Sequence, residues 1–333
     1  MKLQWDEFTR RAWSTVPGVN ITVPRFGEFY SVESLDPSLV FKEISQTLLK
    51  FKKHMQSLGY VDGVDLLSAG YDWRQVPSAE WMDATASLIE RAVKTTGRKV
   101  VLVGHSMGCP FIYAFLKSLK REWAERNIDS FVAVAGPWAG AYKAANAFFV
   151  GFADYVPIAG YAYASLVRHM ASVWLLLPRA QGLGADELLA TTPSRNYTNA
   201  ELEKLLSDAG MDHTAEKLAA SSAIFTKWSS DYSEPLNVPV VCLAGTGKST
   251  PGTLVFDKDI ERGTPDGGWT HSKTTLAIDG DGTVPLASTR YACDQWAKHG
   301  GNATTVLLDG AEHLSVLKDA RFFDEVTRLS CAN

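Results

Sequence analysis

The sequence has no long apolar run, few cysteines and no surplus of charge of either sign, and each shortage closes off a class of protein. Its most apolar stretch, from Ala141 to Leu177, is divided by Asp154 and Arg168 into pieces too short to cross a bilayer as a helix. The opening residues, Met-Lys-Leu-Gln-Trp-Asp-Glu, contain no continuous apolar core, so no secretory leader is recognisable there. Four cysteines, Cys109, Cys242, Cys293 and Cys331, are too few for a disulfide scaffold and lack the C-x-x-C spacing of a metal site. Lys and Arg total 33 against 37 for Asp and Glu, a net charge of −4, which argues against the concentrated basic face of a nucleic-acid binder. Internal repeats and low-complexity tracts are also missing.

What remains is a folded chain. Its 333 residues suit one large domain or two ordinary ones, and a hydrophobic share of 46% with 11% aromatics excludes disorder. Val40 to Leu58 has helical spacing, with Phe41, Ile44, Leu48, Phe51 and Met55 on one face and Gly59 as the stop. A β-prone run follows from Val64 to Ala69. A second helical pattern covers Trp81 to Thr95 and closes at Gly97. Val100 to Val103 is a short apolar run of the kind found in a buried parallel strand, and a helix is expected from Phe111 to Arg126. Phe131–Ala135, Val238–Ala244 and Thr304–Leu308 repeat the buried-strand pattern. Strands alternating with helices predict an α/β fold, its mostly parallel sheet covered by helices on both faces.

The stretch between Gly136 and Val238 is different, being helical and aromatic, with Phe148, Phe149, Phe152, Tyr155, Tyr161, Tyr163 and Trp174 close together. It reads as a cap insertion, 141–237, over a core made of 1–140 and 238–333. Its aromatics fit either the insertion's own small core or a wall for a long apolar substrate.

Gly104-His105-Ser106-Met107-Gly108 matches G-x-S-x-G directly after an apolar strand and before a helix, the setting of a nucleophile elbow. Glycines at both ends are expected to relieve crowding in the turn, and Pro110 suits the first helical turn. A serine hydroxyl needs a base. Of the histidines after Ser106, His313 is preferred because it follows the last buried strand. His299 lies on a polar stretch, His169 and His213 fall in the insertion, and His271 sits in a polar loop. The acid is sought in Asp279-Gly-Asp281-Gly, where Asp281, with glycines on both sides, is the better placed of two candidates. The Met107 N–H is the candidate oxyanion donor. Trp73 and Arg74 either line the site or support it.

Two other patterns fail. Gly247-Lys-Ser249 resembles the end of a phosphate-binding loop, but Cys242 stands where its first glycine is required and Pro251 interrupts the helix that must follow. Asp279-Gly-Asp281 resembles a calcium loop, but Val284 occupies the position of the obligatory glycine. Asn-x-Ser/Thr sequons at Asn20, Asn196 and Asn302 are candidate glycosylation sites.

Together these residues resemble the lecithin–cholesterol acyltransferase family, which includes lysosomal phospholipase A. The likeness runs from about Pro17 to Leu317. It rests on Val23-Pro-Arg-Phe-Gly27, Tyr71-Asp-Trp-Arg74, Gly104-His-Ser-Met-Gly-Cys109, Gly136-Pro-Trp-Ala-Gly140, Ser194-Arg-Asn-Tyr-Thr198, Asp279-Gly-Asp-Gly-Thr-Val284 and Glu312-His-Leu314. The resemblance implies an α/β-hydrolase fold with a cap, Ser106 as nucleophile, Asp281 as acid and His313 as base. It also implies a disulfide between Cys242 and Cys293, with Cys109 a buried thiol. The implied donor is a phospholipid and the acceptor a lipid alcohol or water, met peripherally at a membrane or lipoprotein surface in a secreted or lysosomal setting. No metal or organic cofactor is implied. The alternatives are a neutral-lipid esterase and a catalytically impaired lipid-binding homologue. Family members carry a leader, an early central strand and a disulfide-closed lid ahead of the segment matching Pro17-Gly18-Val19, and no stretch here matches them. The expectation is a sheet short of one strand and an oxyanion hole short of one donor, a loss that typically costs about 10²–10³ in rate.

Overall fold

The computed structural model describes residues 3–6, 11–14, 16, 22–34, 47–151, 164, 166–211, 232–260 and 277–331. Two short strands near the start, β1 (Leu3–Asp6) and β2 (Arg11–Ser14), pair antiparallel in a hairpin that the sequence pattern does not announce. Helix α1 (Leu49–Ser57) buries Leu49, Phe51 and Met55. Residues 40–46 of the expected helix lie outside the described residues. Helix α2 (Ala79–Thr96) starts where the Ser78 side chain accepts the Trp81 N–H and ends at Gly97, whose φ of 71° suits glycine.

Strand β3 (Val100–His105) then leads through a tight turn into α3 (Gly108–Ser118), and α4 (Arg121–Asn127) runs directly into β4 (Ile128–Val134). A single helix over 111–126 is therefore corrected to two. Leu119 and Lys120 are extended (ψ 152° and 140°), which breaks the helix and lets the chain turn into β4. Next come α5 (Tyr142–Val150), α6 (Ala171–Leu175), β5 (Leu188–Thr191), β6 (Asn196–Thr198) and α7 (Leu202–Asp208). The remainder holds β7 (Val240–Thr246), β8 (Lys248–Pro251), β9 (Leu254–Val255), β10 (Ala277–Gly280), α8 (Leu286–Lys298), β11 (Ala303–Asp309) and α9 (Ala320–Cys331).

Four strands form a parallel sheet in the order β11-β7-β4-β3. Side chains alternate across it, as the two-residue period of a strand requires. Phe131, Ala133, Val240 and Cys242 face one layer, with Tyr113 and Phe115 of α3 and Cys293 and Trp296 of α8. Val132, Val134, Val241 and Leu243 face the other, with Phe51 and Met55 of α1 and Phe322 and Val326 of α9. Both faces being buried explains why these strands read as continuous apolar runs.

The run 64–69 does not form a strand. Gly27 and Ser68 exchange backbone bonds at 2.9 and 3.4 Å, so this segment pairs with a loop instead of the sheet, and among the described residues β3 is the sheet's edge strand. A separate apolar cluster gathers Tyr142, Phe148, Phe149, Met170, Leu189, Tyr197 and Leu205. Phe148 and Phe149 thus belong to a core of their own, with Trp174 against it. Phe152, Tyr155, Tyr161 and Tyr163 lie outside the described residues. None of the described helices is long and apolar enough to cross a membrane. A parallel sheet between helix layers, with a strand–tight turn–helix at Ser106, is an α/β-hydrolase fold.

Candidate active site

Ser106 sits between β3 and α3 at φ 52°, a left-handed conformation unusual for a residue with a side chain. Its N–H donates to Val134 O (2.9 Å) and its carbonyl accepts from Cys109 N (2.9 Å), which fixes the turn between the neighbouring strand and the new helix. A side chain at Gly104 would meet Ile112 Cδ1 at 2.9 Å and the Gly108 backbone at 3.1 Å, so glycine there relieves crowding between the strand and the new helix. The expectation for Gly108 is corrected. Its nearest neighbour would be the Tyr71 hydroxyl at 3.7 Å, an ordinary contact. The Met107 N–H stands at the start of α3, where unpaired helix donors and the helix dipole favour negative charge.

The structure brings Ser106, His313 and Asp281 together. His313 Nε2 lies 2.9 Å from Ser106 Oγ, and its Nδ1 lies 2.7 Å from Asp281 Oδ2. A carboxylate only accepts, so Nδ1 carries the proton and Nε2 is free to accept from the hydroxyl. Asp281 is 2% exposed, and its other oxygen accepts the N–H groups of Thr283 (2.9 Å) and Val284 (2.7 Å). The loop that aims it depends on its glycines. Gly282 has φ 85°, and a side chain on Gly280 would strike Val284 O at 2.3 Å. A cleft of about 460 Å³ beside the pair is lined by Lys248, Ser249, Thr283, Glu312 and Leu314 among others.

The remaining candidates are elsewhere. Asp279 accepts from Thr246 Oγ1 and Gly247 N, both at 2.7 Å, and the Thr246 hydroxyl is the main cause of its lowered pKa. His299 closes α8, its Nδ1 2.8 Å from Gln295 O. His169 lies before α6; His213 and His271 are outside the described residues. Lys248 and Ser249, the apparent phosphate-loop residues, lie in β8. Arg74 is 4% exposed and clasps Asp72 through Nε (2.9 Å) and Nη2 (2.7 Å), whereas Trp73 is half exposed. Cys242 and Cys293 are disulfide-bonded, as the shared layer of β7 and α8 allows. Cys109 is a buried free thiol, its Sγ 3.2 Å from Gly104 O. Asn196 and Asn302 are exposed; Asn20 is outside the described residues.

Sequence reasoning passed over two residues at the site. Tyr71 stacks on Phe111 with centroids 4.0 Å apart and turns its hydroxyl to the elbow. His105 places Nε2 2.7 Å from the His313 main-chain oxygen. A polar ring ending an otherwise apolar strand is the signal that could have found it, since such a group needs a partner.

Comparison with known proteins finds relatives along most of the chain. The family model described as lecithin:cholesterol acyltransferase matches residues 6–230 and 208–320. The lysosomal phospholipase A and acyltransferase of Canis lupus familiaris is 30% identical over 322 residues, covering 94% of this chain and 73% of that protein. The phosphatidylcholine-sterol acyltransferase of Rattus norvegicus is 27% identical over 321 residues, 95% of this chain and 69% of the relative. Among solved structures, a chain of the Tle4–Tli4 complex aligns with a TM-score of 0.52 at 16% identity, over 80% of this chain and 68% of that one, a likeness of fold. The chain belongs to the lecithin:cholesterol acyltransferase family.

Proposed function

We propose that the chain is a lipid acyltransferase and phospholipase that works through Ser106, His313 and Asp281. The observation that carries this reading is the unbroken relay from Asp281 Oδ2 to His313 Nδ1 (2.7 Å) and from His313 Nε2 to Ser106 Oγ (2.9 Å). His313 Nε2 takes the hydroxyl proton as Ser106 Oγ attacks the ester carbonyl of a glycerophospholipid. The carbonyl electrons move to oxygen, where the Met107 N–H and the start of α3 stabilise the charge. Collapse expels the lysophospholipid oxygen, which receives the proton from His313 and leaves an acyl-serine. His313 then deprotonates water or a lipid alcohol, whose oxygen attacks the acyl carbon, and returns that proton to the departing Ser106 Oγ. Asp281 holds the imidazole in its reactive tautomer and faces the imidazolium that forms.

Residues 141–237 are read as the cap, with β9 lending a strand through its pairing to β5. Trp73, 50% exposed beside Tyr71, and Leu314, 49% exposed beside His313, support a peripheral lipid-surface encounter. A secreted or lysosomal setting is supported by the exposed sequon residues Asn196 and Asn302, which we read as glycan acceptors, and its lysosomal form by the name of the canine relative.

The test is acyl release from phosphatidylcholine vesicles, with and without a sterol or other lipid alcohol. Release by the wild type and its loss in S106A is the expected result, with the acyl group divided between fatty acid and the new ester. Release from triglyceride but not from phospholipid would replace this reading with that of a neutral-lipid esterase.

A further inference from the structure

A base is useful only where it is held, and His313 is gripped by more than its ring contacts. Its backbone N–H donates to the Asp281 carbonyl at 2.9 Å. Its backbone carbonyl lies 2.7 Å from Nε2 of His105, the last residue of β3 and the neighbour of Ser106. A carbonyl only accepts, so this Nε2 carries the proton. The loop bearing the base is thus tied to the acid loop through its N–H and to the nucleophile's strand through its C=O, which leaves both ring nitrogens for Asp281 and Ser106. The two histidine rings lie 5.0 Å apart. Burial first, and the neighbouring His313 second, depress the pKa of His105, which remains a neutral single donor and adds no second cation beside the base.

We propose that His105 is a positioning residue for acyl transfer: its Nε2–H, given to the His313 carbonyl, fixes the base loop in register with the Ser106 hydroxyl. This rests on the reading of Ser106, His313 and Asp281 as the reacting set. Because His105 ends β3 and Ser106 follows it directly in the turn, the tie suppresses relative motion of base and nucleophile at the point where it matters. Misplacing a reacting group by about 1 Å costs on the order of 10²-fold in rate.

The experiment compares wild type, H105F and H105Q as full chains on phosphatidylcholine vesicles, with S106A as the blank. It reads kcat and KM separately, together with the downfield proton resonance of the His313–Asp281 bond. Phe removes the donor, whereas Gln can still present an N–H to the carbonyl. The expected result is a kcat about 10–100-fold lower in H105F at nearly unchanged KM, a displaced or broadened resonance, and recovery of most of the lost rate in H105Q. Wild-type kcat and an unmoved resonance in a folded H105F overturn the proposal while leaving the triad reading in place. An inactive wild type whose Ser106 resists fluorophosphonate overturns the triad reading and this one with it. If H105F does not fold, H105N replaces it: its amide is too short to reach, so equal rates for H105N and H105Q overturn the proposal and a slower H105N supports it.

Discussion

Ser106 holds a φ of 52°, which costs a residue with a side chain about 1–3 kcal/mol, and bonds to Val134 and from Cys109 maintain it. The strain lifts the hydroxyl out of the turn toward His313. Crowding explains one flanking glycine and not the other, because Gly104 abuts Ile112 and the Gly108 backbone while Gly108 faces only Tyr71. His105 carries a consequence for acid stability. In the folded chain burial lowers its pKa to about 3, against 6.5 for a free imidazole. The unfolded chain therefore binds the extra proton between these values. Stability from this group is complete above about pH 6.5 and is lost as pH falls toward about 3, at up to about 1.4 kcal/mol per pH unit. Urea unfolding between about pH 7 and pH 4 is expected to show this decline in the wild type and a shallower one in H105Q. Parallel decline in both would contradict the assignment.

At the scale of elements, the disulfide joins the sheet to one of its covering helices. Cys242 of β7 and Cys293 of α8 are 51 residues apart in sequence, and closing a loop of that size restricts the unfolded chain by about 4 kcal/mol in the chain-entropy account. The double variant C242A/C293A is expected to lose about 2–4 kcal/mol of unfolding free energy in urea. Unchanged stability would mean that apolar packing in the layer shared by α8 and the sheet, with Ala292 and Trp296 buried in it, holds α8 without the disulfide. The central strands β4 and β7 were legible because burial on both faces leaves an apolar run in each, whereas β11 at the edge was marked by its apolar Val306–Leu308 alone. The run 64–69 has the same local character but pairs through Ser68 to Gly27, and the choice of partner is a tertiary matter that periodicity does not carry. The break at Leu119–Lys120 has no glycine or proline to mark it. Strands β5, β6 and β9, of two to four residues, are too short for any pattern to stand out.

Over the whole molecule, three loops that are distant in sequence converge at one end of the sheet. The order serine, acid, histidine was readable from the elbow motif, the glycine-flanked Asp281 and the position of His313 after the last strand. The mutual support of these loops was not, because the bond from the His105 ring to the His313 carbonyl and the backbone bond from His313 to Asp281 depend on how β3, β10 and β11 are placed in space. Asp281 follows a strand that pairs antiparallel with β8, outside the parallel sheet, and a parallel-strand pattern does not reveal that route. The central claim is that His313, steadied by Asp281, makes the Ser106 hydroxyl nucleophilic. Peptide mapping of the chain after treatment with a fluorophosphonate tests it most directly: a single adduct on Ser106, absent in S106A and formed far more slowly in H313A, is the predicted result. Labelling at another serine, or at Ser106 with equal speed in H313A, would contradict it.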